Sequence, residues 1–313
     1  MQIITLTLSP AFDVHCTCED FAPFRENLAT ITSREAGGKG VNISRALTQN
    51  NVNNLAIVAL GEENALDFTN LLSGTGIDWI PLYRSGRIRE NITLHGTNNK
   101  ETRISFSGFS ADDSLLSEAE AIVLSHLSDS KDIILTFTGR VPSGLSLESV
   151  KAFLIRLQTR GIKLVIDSKS FSKADILEIK PWLIKPNEEE LSLYASREIQ
   201  TESDIIETAW ELSRLGIANA MISLGEKGAV LASQAGVFRA YAPKIDAIST
   251  IGAGDSSIAG FLAAYSKGKS TQDCLRLAVA FGSAACLTDG TQPPNPHDID
   301  SITPQIKIER IST

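Results

Sequence analysis

Towards its C-terminal end the chain reads Thr250, Ile251, Gly252, Ala253, Gly254, Asp255, directly ahead of Ile258, Phe261, Leu262 and Tyr265 at i, i+3, i+4 and i+7. The second set is the apolar stripe of a core-facing helix, so the first set is its N-terminus. Backbone N–H groups of Gly252, Ala253 and Gly254 at such an end lack intrahelical acceptors and suit a phosphate or an oxyanion. Asp255, in the first turn, could take the proton of a hydroxyl bound beside that anion. The plainer role for the same residue is a helix cap, which Asp fills well.

Two further clusters could act with it. Gly37, Gly38, Lys39, Gly40, Val41 and Asn42 form a glycine-rich turn feeding a helix, with a cation and an amide beside backbone that a ligand can approach closely. Lys185, Pro186 and Asn187 follow an apolar run, with Glu190 one turn on. Asn187 and Glu190, at i and i+3, share a helix face and could hold a hydrated Mg²⁺, an ion that needs few protein oxygens. A capping box at a strand-to-helix turn is the structural alternative. Other glycine motifs do not fit. The dinucleotide fingerprint needs Gly where Ser257 stands, which argues against a nicotinamide dehydrogenase, and neither a Walker loop nor the protein-kinase motif set occurs. His15, Cys16 and Cys18 lack metal-site spacing and read as strand positions, with both cysteines on one face.

These clusters need a frame to hold them. Strand-like runs at residues 3–8, 55–60, 133–137, 163–166, 182–184 and 220–223 alternate with helical runs at 41–49, 65–72, 114–126, 147–159 and 202–215. That alternation predicts an α/β fold, a mainly parallel sheet with helices on its faces. Residues 12–35 and 77–106 break the pattern and read as short strands with turns at Gly86 and at 96–99. Pairing with one another, they would make a small β lid on one domain spanning residues 1–313.

With 313 residues, 42% of them hydrophobic and 21% charged, the chain can bury a large core. A formal charge of −8 gives no support for nucleic acid or an anionic membrane as partner. The N-terminal run lacks a basic flank and reads as a first strand, and no apolar stretch is long enough to span a bilayer. Four cysteines in a chain of this length suggest a reduced, cytoplasmic setting.

Taken together, Gly-Gly-Lys-Gly-x-Asn at 37–42, Lys-Pro-Asn-x-x-Glu at 185–190, Ser-Leu-Gly-x-x-Gly at 223–228 and Gly-Ala-Gly-Asp at 252–255 resemble the ribokinase-like, or PfkB, carbohydrate kinase family. The resemblance covers nearly the whole chain. It implies a doubly wound, mainly parallel sheet with a β lid, and ATP-dependent phosphorylation of an alcohol with Mg²⁺. By the same resemblance Asp255 is the catalytic base and Gly252, Ala253 and Gly254 form an anion hole. Asn187 and Glu190 would place Mg²⁺ through water, and Lys185, Ser223, Gly225, Gly228, Gly282 and Ser283 would shape the nucleotide site. Asp13, Gly38, Lys39, Asn42 and Asn91 would hold the sugar, with Asp167 also facing the site.

Within the family the likeness is to members whose ketohexose substrates already carry a phosphate. Asp13 after Ser9 and Pro10, Lys39, Arg89 with Asn91, and Arg103 support this, the arginines as a fork for the phosphate. The expected reaction is fructose 1-phosphate to fructose 1,6-bisphosphate, with tagatose 6-phosphate or fructose 6-phosphate as alternative substrates. Ser9 replaces the family's usual Asn, and Leu28 stands where an Arg often follows the position of Asn27, so one phosphate contact is lost or supplied by Arg25. Rival readings are a family kinase of an unphosphorylated sugar or nucleoside, and a non-catalytic sugar-phosphate-binding regulator. An exposed lid edge would suit a lid-mediated homodimer.

Overall fold

Strands that are apolar at successive positions need cover on both faces, and the main sheet has it. On the first strand Ile3 points into one apolar cluster while Ile4 and Leu6 point into another. The computed structural model describes residues 1–19, 21–96, 101–127, 132–195 and 197–311. The N-terminal part runs β1 (Gln2–Thr7), β2 (Ala11–Thr17), β3 (Thr30–Gly37), α1 (Lys39–Gln49), β4 (Leu55–Gly61), α2 (Ala65–Ser73), β5 (Trp79–Arg84), β6 (Arg89–His95) and β7 (Glu101–Ser105). The middle runs α3 (Asp113–Ser125), β8 (Ile133–Thr138), α4 (Leu147–Thr159), β9 (Lys163–Asp167), α5 (Lys173–Ile179), β10 (Leu183–Ile184), α6 (Glu188–Ala195), α7 (Glu202–Arg214) and β11 (Asn219–Ser223). The chain closes with β12 (Ala229–Ser233), β13 (Gly236–Tyr241), α8 (Ala253–Ser266), α9 (Thr271–Ala285), α10 (Pro296–Ile302) and β14 (Lys307–Ile311).

The large sheet has the order β14-β13-β12-β11-β10-β9-β8-β1-β4-β5. It is parallel from β11 to β5, with β12, β13 and β14 added antiparallel at one edge. Helices α3, α4 and α7 cover one face and α1, α8, α9 and α10 the other. Chain order reverses between β1 and β8, and the carboxyl ends of strands beside such a switch point are where open α/β sheets bind ligands. Among the described residues no helix is long and apolar enough to cross a membrane.

A second sheet, β3-β2-β6-β7, stands apart from the first. The parallel pairing of β2 with β6 joins the two irregular stretches of the sequence. One boundary differs from expectation. Residues 79–84 belong to the main sheet, where β5 pairs parallel with β4, so the second lid stretch begins only at Arg89. Ile77 and Leu82 are buried there, and that burial outweighs the turn-like residues that follow them. The turn read at residues 96–99 falls mostly on 97–100, which lie outside the described residues.

Candidate active site

Helix α8 begins at Gly252, whose φ of +80° and missing side chain leave the first turn without a side-chain cap. The N–H of Ala253 turns back to Thr250 O at 3.4 Å, so the amides of Gly254 and Asp255 are the freer donors of the turn. Asp255 is 6% exposed. Its Oδ2 accepts from Asn42 Nδ2 at 2.8 Å. Burial pushes its carboxyl up to about 6, with the charge of Asp167 adding to the rise and Lys39, Asn42 and Lys185 opposing it. Asp255 makes no helix cap: it is a buried carboxylate whose protonation lies near the range in which a general base works.

Asp167, at the carboxyl end of β9, is the hub of the neighbouring charges. Lys39 Nζ lies 2.9 Å and Lys185 Nζ 3.6 Å from its Oδ2. Burial alone would raise this carboxyl, but the two ammonium groups outweigh it and hold it low. For Lys39 the balance is similar: burial would lower it, and the carboxylates of Asp167, Asp255 and Glu190 keep it above its usual range. Lys185 also reaches α8, since a side chain at Gly254 would lie 3.1 Å from its Nζ. Asn42, expected on the sugar, spends its amide N–H on Asp255, while its Oδ1 stays buried without a partner and could accept a sugar hydroxyl.

Above this group sits the lid. Asp13 on β2 accepts from Asn91 Nδ2 at 2.8 Å, and Arg89 donates to Asn91 Oδ1 at 2.7 Å. The other oxygen of Asp13 packs so close to Gly37 that any Cβ there would fall 1.9 Å from it. That contact fixes Asp13 over the Gly37, Gly38, Lys39 turn and joins the lid to the base of the cleft. Burial raises the Asp13 carboxyl, opposed by Asn91, Arg103, Arg89 and His15. Arg89 is lowered by burial and by the like charges of Arg140 and Arg103. Arg89 and Arg103 thus act on the carboxylate of Asp13, and Arg140 adds its charge to that of Arg89. Arg140 had no place in the sequence reading; its only signal was the Gly139-Arg140 turn at the end of a buried strand.

The remaining predicted residues line the other side. Asn187 and Glu190 form a reciprocal capping box, Asn187 N to Glu190 Oε2 at 3.1 Å and Glu190 N to Asn187 Oδ1 at 2.8 Å. Ser223 N donates to Pro186 O at 3.0 Å, which ties the Lys185 segment to the end of β11. Gly225 and Gly228 shape the turn after β11, and a Cβ at Gly228 would lie 2.2 Å from Ala240 O. Gly282 brings α9 against α8, where a Cβ would meet Ser257 Oγ at 2.3 Å, and Ser283 is buried beside it. Among the described residues no three metal-ligating side chains gather to hold an ion. One carboxylate and one amide oxygen fit a hydrated Mg²⁺ held through water and do not fit direct coordination.

Residues 11–298 match the model of the pfkB family carbohydrate kinases. The 1-phosphofructokinase of Escherichia coli K12 is 32% identical over 286 residues, covering 91% of this chain and 90% of that one. A crystal structure of phosphofructokinase-2 from Escherichia coli in complex with fructose-6-phosphate superposes with a TM-score of 0.89 at 26% identity, over 97% of this chain and 98% of that one. The tetrameric inhibited form of the same enzyme gives 0.86 at 25% identity, over 97% and 98% of the two chains.

Proposed function

The chain belongs to the pfkB family of carbohydrate kinases, and from that premise we propose that it transfers the γ-phosphoryl group of ATP to the free hydroxymethyl group of fructose 1-phosphate. The observation that carries this reading is a buried, proton-poised Asp255 at an open helix N-terminus, facing a lid where Arg89 and Arg103 act on the single carboxylate of Asp13. Asp255 takes the hydroxyl proton as the oxygen attacks phosphorus and ADP leaves. The amides of Gly254 and Asp255, with Gly252 and Ala253 shaping the turn, meet the negative charge on the transferring group. Asn42 orients the base. Asp13, Gly38, Lys39 and Asn91 hold the sugar, and Arg89, Arg103 and Arg140 its phosphate.

On the nucleotide side, Lys185, Ser223, Gly225, Gly228, Gly282 and Ser283 would border ATP, and Asn187 and Glu190 would hold Mg²⁺ through water. When bound, that ion neutralises phosphate charge. The four cysteines are unpaired, which suits the cytoplasm as the place of action. The outer face of the lid presents Val14, Cys16, Ile31, Ile92, Leu94 and Ile104 around an apolar hollow of about 530 Å³, and a second copy of the chain would cover it. Ile31→Asp should then shift a dimer to monomer in size-exclusion chromatography.

ADP release over a panel of fructose 1-phosphate, fructose 6-phosphate, tagatose 6-phosphate, free fructose and a nucleoside tests the assignment. Fructose 1-phosphate should give the highest kcat/KM. A preference for either 6-phosphate would reverse the substrate's orientation in the cleft, and no turnover with any of them would favour a binding regulator.

A further inference from the structure

One pair of lid side chains, a buried histidine and a half-buried one, has no part in that reaction. His15 on β2 and His95 on β6 stack with ring centroids 5.2 Å apart and an interplanar angle of 19°. His15 Nδ1 and His95 Nε2 are 2.9 Å apart, a hydrogen bond in which one nitrogen donates and the other accepts. The opposite nitrogen of His95 faces Glu101 on β7 at 3.4 Å. The pair therefore fixes the rotation of a ring that is itself 5% exposed.

The far edge of that ring rests on Gly290. A Cβ there would lie 2.9 Å from His15 Nε2 and 3.4 Å from both Cδ2 and Cε1. Gly290 belongs to a turn closed by Gln292 N to Asp289 O at 3.1 Å. The next residue, Thr291, is the neighbour of the anion hole, since a side chain at Gly252 would come within 3.7 Å of Thr291 Cα. The adjacent lid strand grips the same turn: Glu35 on β3 accepts from Thr291 Oγ1 at 2.7 Å and from Gln292 Nε2 at 2.6 Å. Arg45 of α1 completes the grip, donating to Glu35 Oε2 at 3.2 Å and to Gln292 Oε1 at 3.1 Å. Two neighbouring lid strands thus hold one turn, and that turn backs the start of α8.

We propose that His15 is a positioning residue of the kinase: by packing on Gly290 it holds the 289–292 turn against Gly252, so the anion hole takes its working shape when the lid is in place. The inference rests on the phosphoryl-transfer reading above. Catalytic geometry is sensitive to small displacements, a shift of ~1 Å costing up to ~10²-fold in rate. A partial loosening of the turn should therefore fall mainly on kcat.

The test is a double-mutant cycle between His15→Ala and Gly290→Ala, with kcat, both KM values and Tm measured for each. His15→Ala should lower kcat about tenfold and leave the KM for ATP within about threefold, a split that general instability would not produce. Gly290→Ala should lose at least as much, because its methyl meets the ring and the φ of +58° at Gly290 strains any side chain. The double variant should lose less than the product of the two single losses, because removing the ring gives the methyl room while the backbone strain at Gly290, φ +58°, stays. His15→Phe, which refills the ring's space without the bond to His95, should recover to within about threefold of the wild type. The proposal fails if His15→Ala stays within twofold of the wild type, or if the two single losses multiply. Amide hydrogen exchange of residues 250–256 gives a readout that needs no turnover. It should quicken severalfold in His15→Ala, and unchanged exchange overturns the proposal even if the substrate assignment is wrong. An inactive wild type would instead overturn the kinase reading alone.

Discussion

The two walls of the cleft handle charge in opposite ways. On the main-sheet wall, two lysines, the half-buried Lys39 and the buried Lys185, meet two buried carboxylates, Asp167 and Asp255. On the lid wall, Arg89 and Arg103 act on the single carboxylate of Asp13, and Arg140, from the turn after β8, adds its charge to that of Arg89. The first wall is balanced before any ligand arrives, and what varies there is a proton on Asp255. The second carries a surplus of positive charge in a chain whose formal net charge is −8. On the proposed reading, internal balance suits the place where a proton moves and surplus the place where the ligand brings the missing charge.

The sharpest way to break the comparison is to neutralise the balanced wall. Asp255→Asn keeps an oxygen to accept from Asn42 and removes the base, so kcat should fall by ~10²-fold or more, measured as ADP release. The same substitution should stabilise the protein at high pH. The folded carboxyl titrates at about 6, above the ordinary ~3.9 of the unfolded chain. The folded state therefore binds the extra proton between those values and loses stability as pH rises through 6. At pH 8 the penalty is about 2–3 kcal/mol, which Asp255→Asn should return as a higher Tm; at pH 4 the two proteins should melt alike. For the wild type, kcat should rise with pH to a plateau, with its midpoint at or above the value of about 6 for the empty cleft, because bound phosphates add negative charge beside Asp255. This holds for kcat and not for kcat/KM, because a sugar phosphate has its own ionisation near 6 and would distort the second quantity.

Next in size is the surplus wall. Arg89→Ala, Arg103→Ala and Arg140→Ala should each raise the KM for the sugar phosphate about tenfold or more, with kcat and the KM for ATP within about threefold. Arg89→Lys should recover only part of the loss, since an ammonium cannot reproduce the bidentate fork. Steady-state kinetics in both substrates checks this. An equal effect on both KM values would show that the arginines hold the lid together and do not read the substrate.

How much of this was legible in the sequence follows the same division. The balanced wall is built on long strands and helix starts, where periodicity and glycine turns leave a local mark, so Gly252 to Asp255, Lys39, Asn42, Lys185, Asn187 and Glu190 could be named from spacing. The pairings could not: Asn42 with Asp255 and Lys39 with Asp167 join residues 213 and 128 positions apart. The lid was harder. Its strands are short, and Trp79–Arg84 carries similar β-forming residues but pairs with β4, a choice made by burial and not by local preference. The antiparallel edge of β12, β13 and β14 was missed for the same reason, and Arg140 because one arginine in a turn has no pattern around it.

Glu190 offers the smallest effect and the closest test of the rule. It borders the balanced wall, where its charge reaches Lys39 without an ion pair, and its one ion pair among the described residues is with Lys169 at 3.8 Å, which is 65% exposed. An exposed pair at that distance contributes little. By the logic of the surplus wall, Glu190 is a negative charge awaiting a cation, which is the role proposed for it towards hydrated Mg²⁺. Its second oxygen is occupied in the capping box of α6, so removal and neutralisation should separate. Glu190→Ala loses cap and charge, and should lower stability by about 1 kcal/mol while raising the Mg²⁺ concentration for half-maximal rate several-fold. Glu190→Gln keeps an acceptor for Asn187 N and should leave Tm within about a degree, yet shift the Mg²⁺ dependence nearly as far. If Glu190→Gln left the Mg²⁺ titration unchanged, the carboxylate would be a helix cap alone, and uncompensated charge in this cleft would no longer be a guide to what binds there.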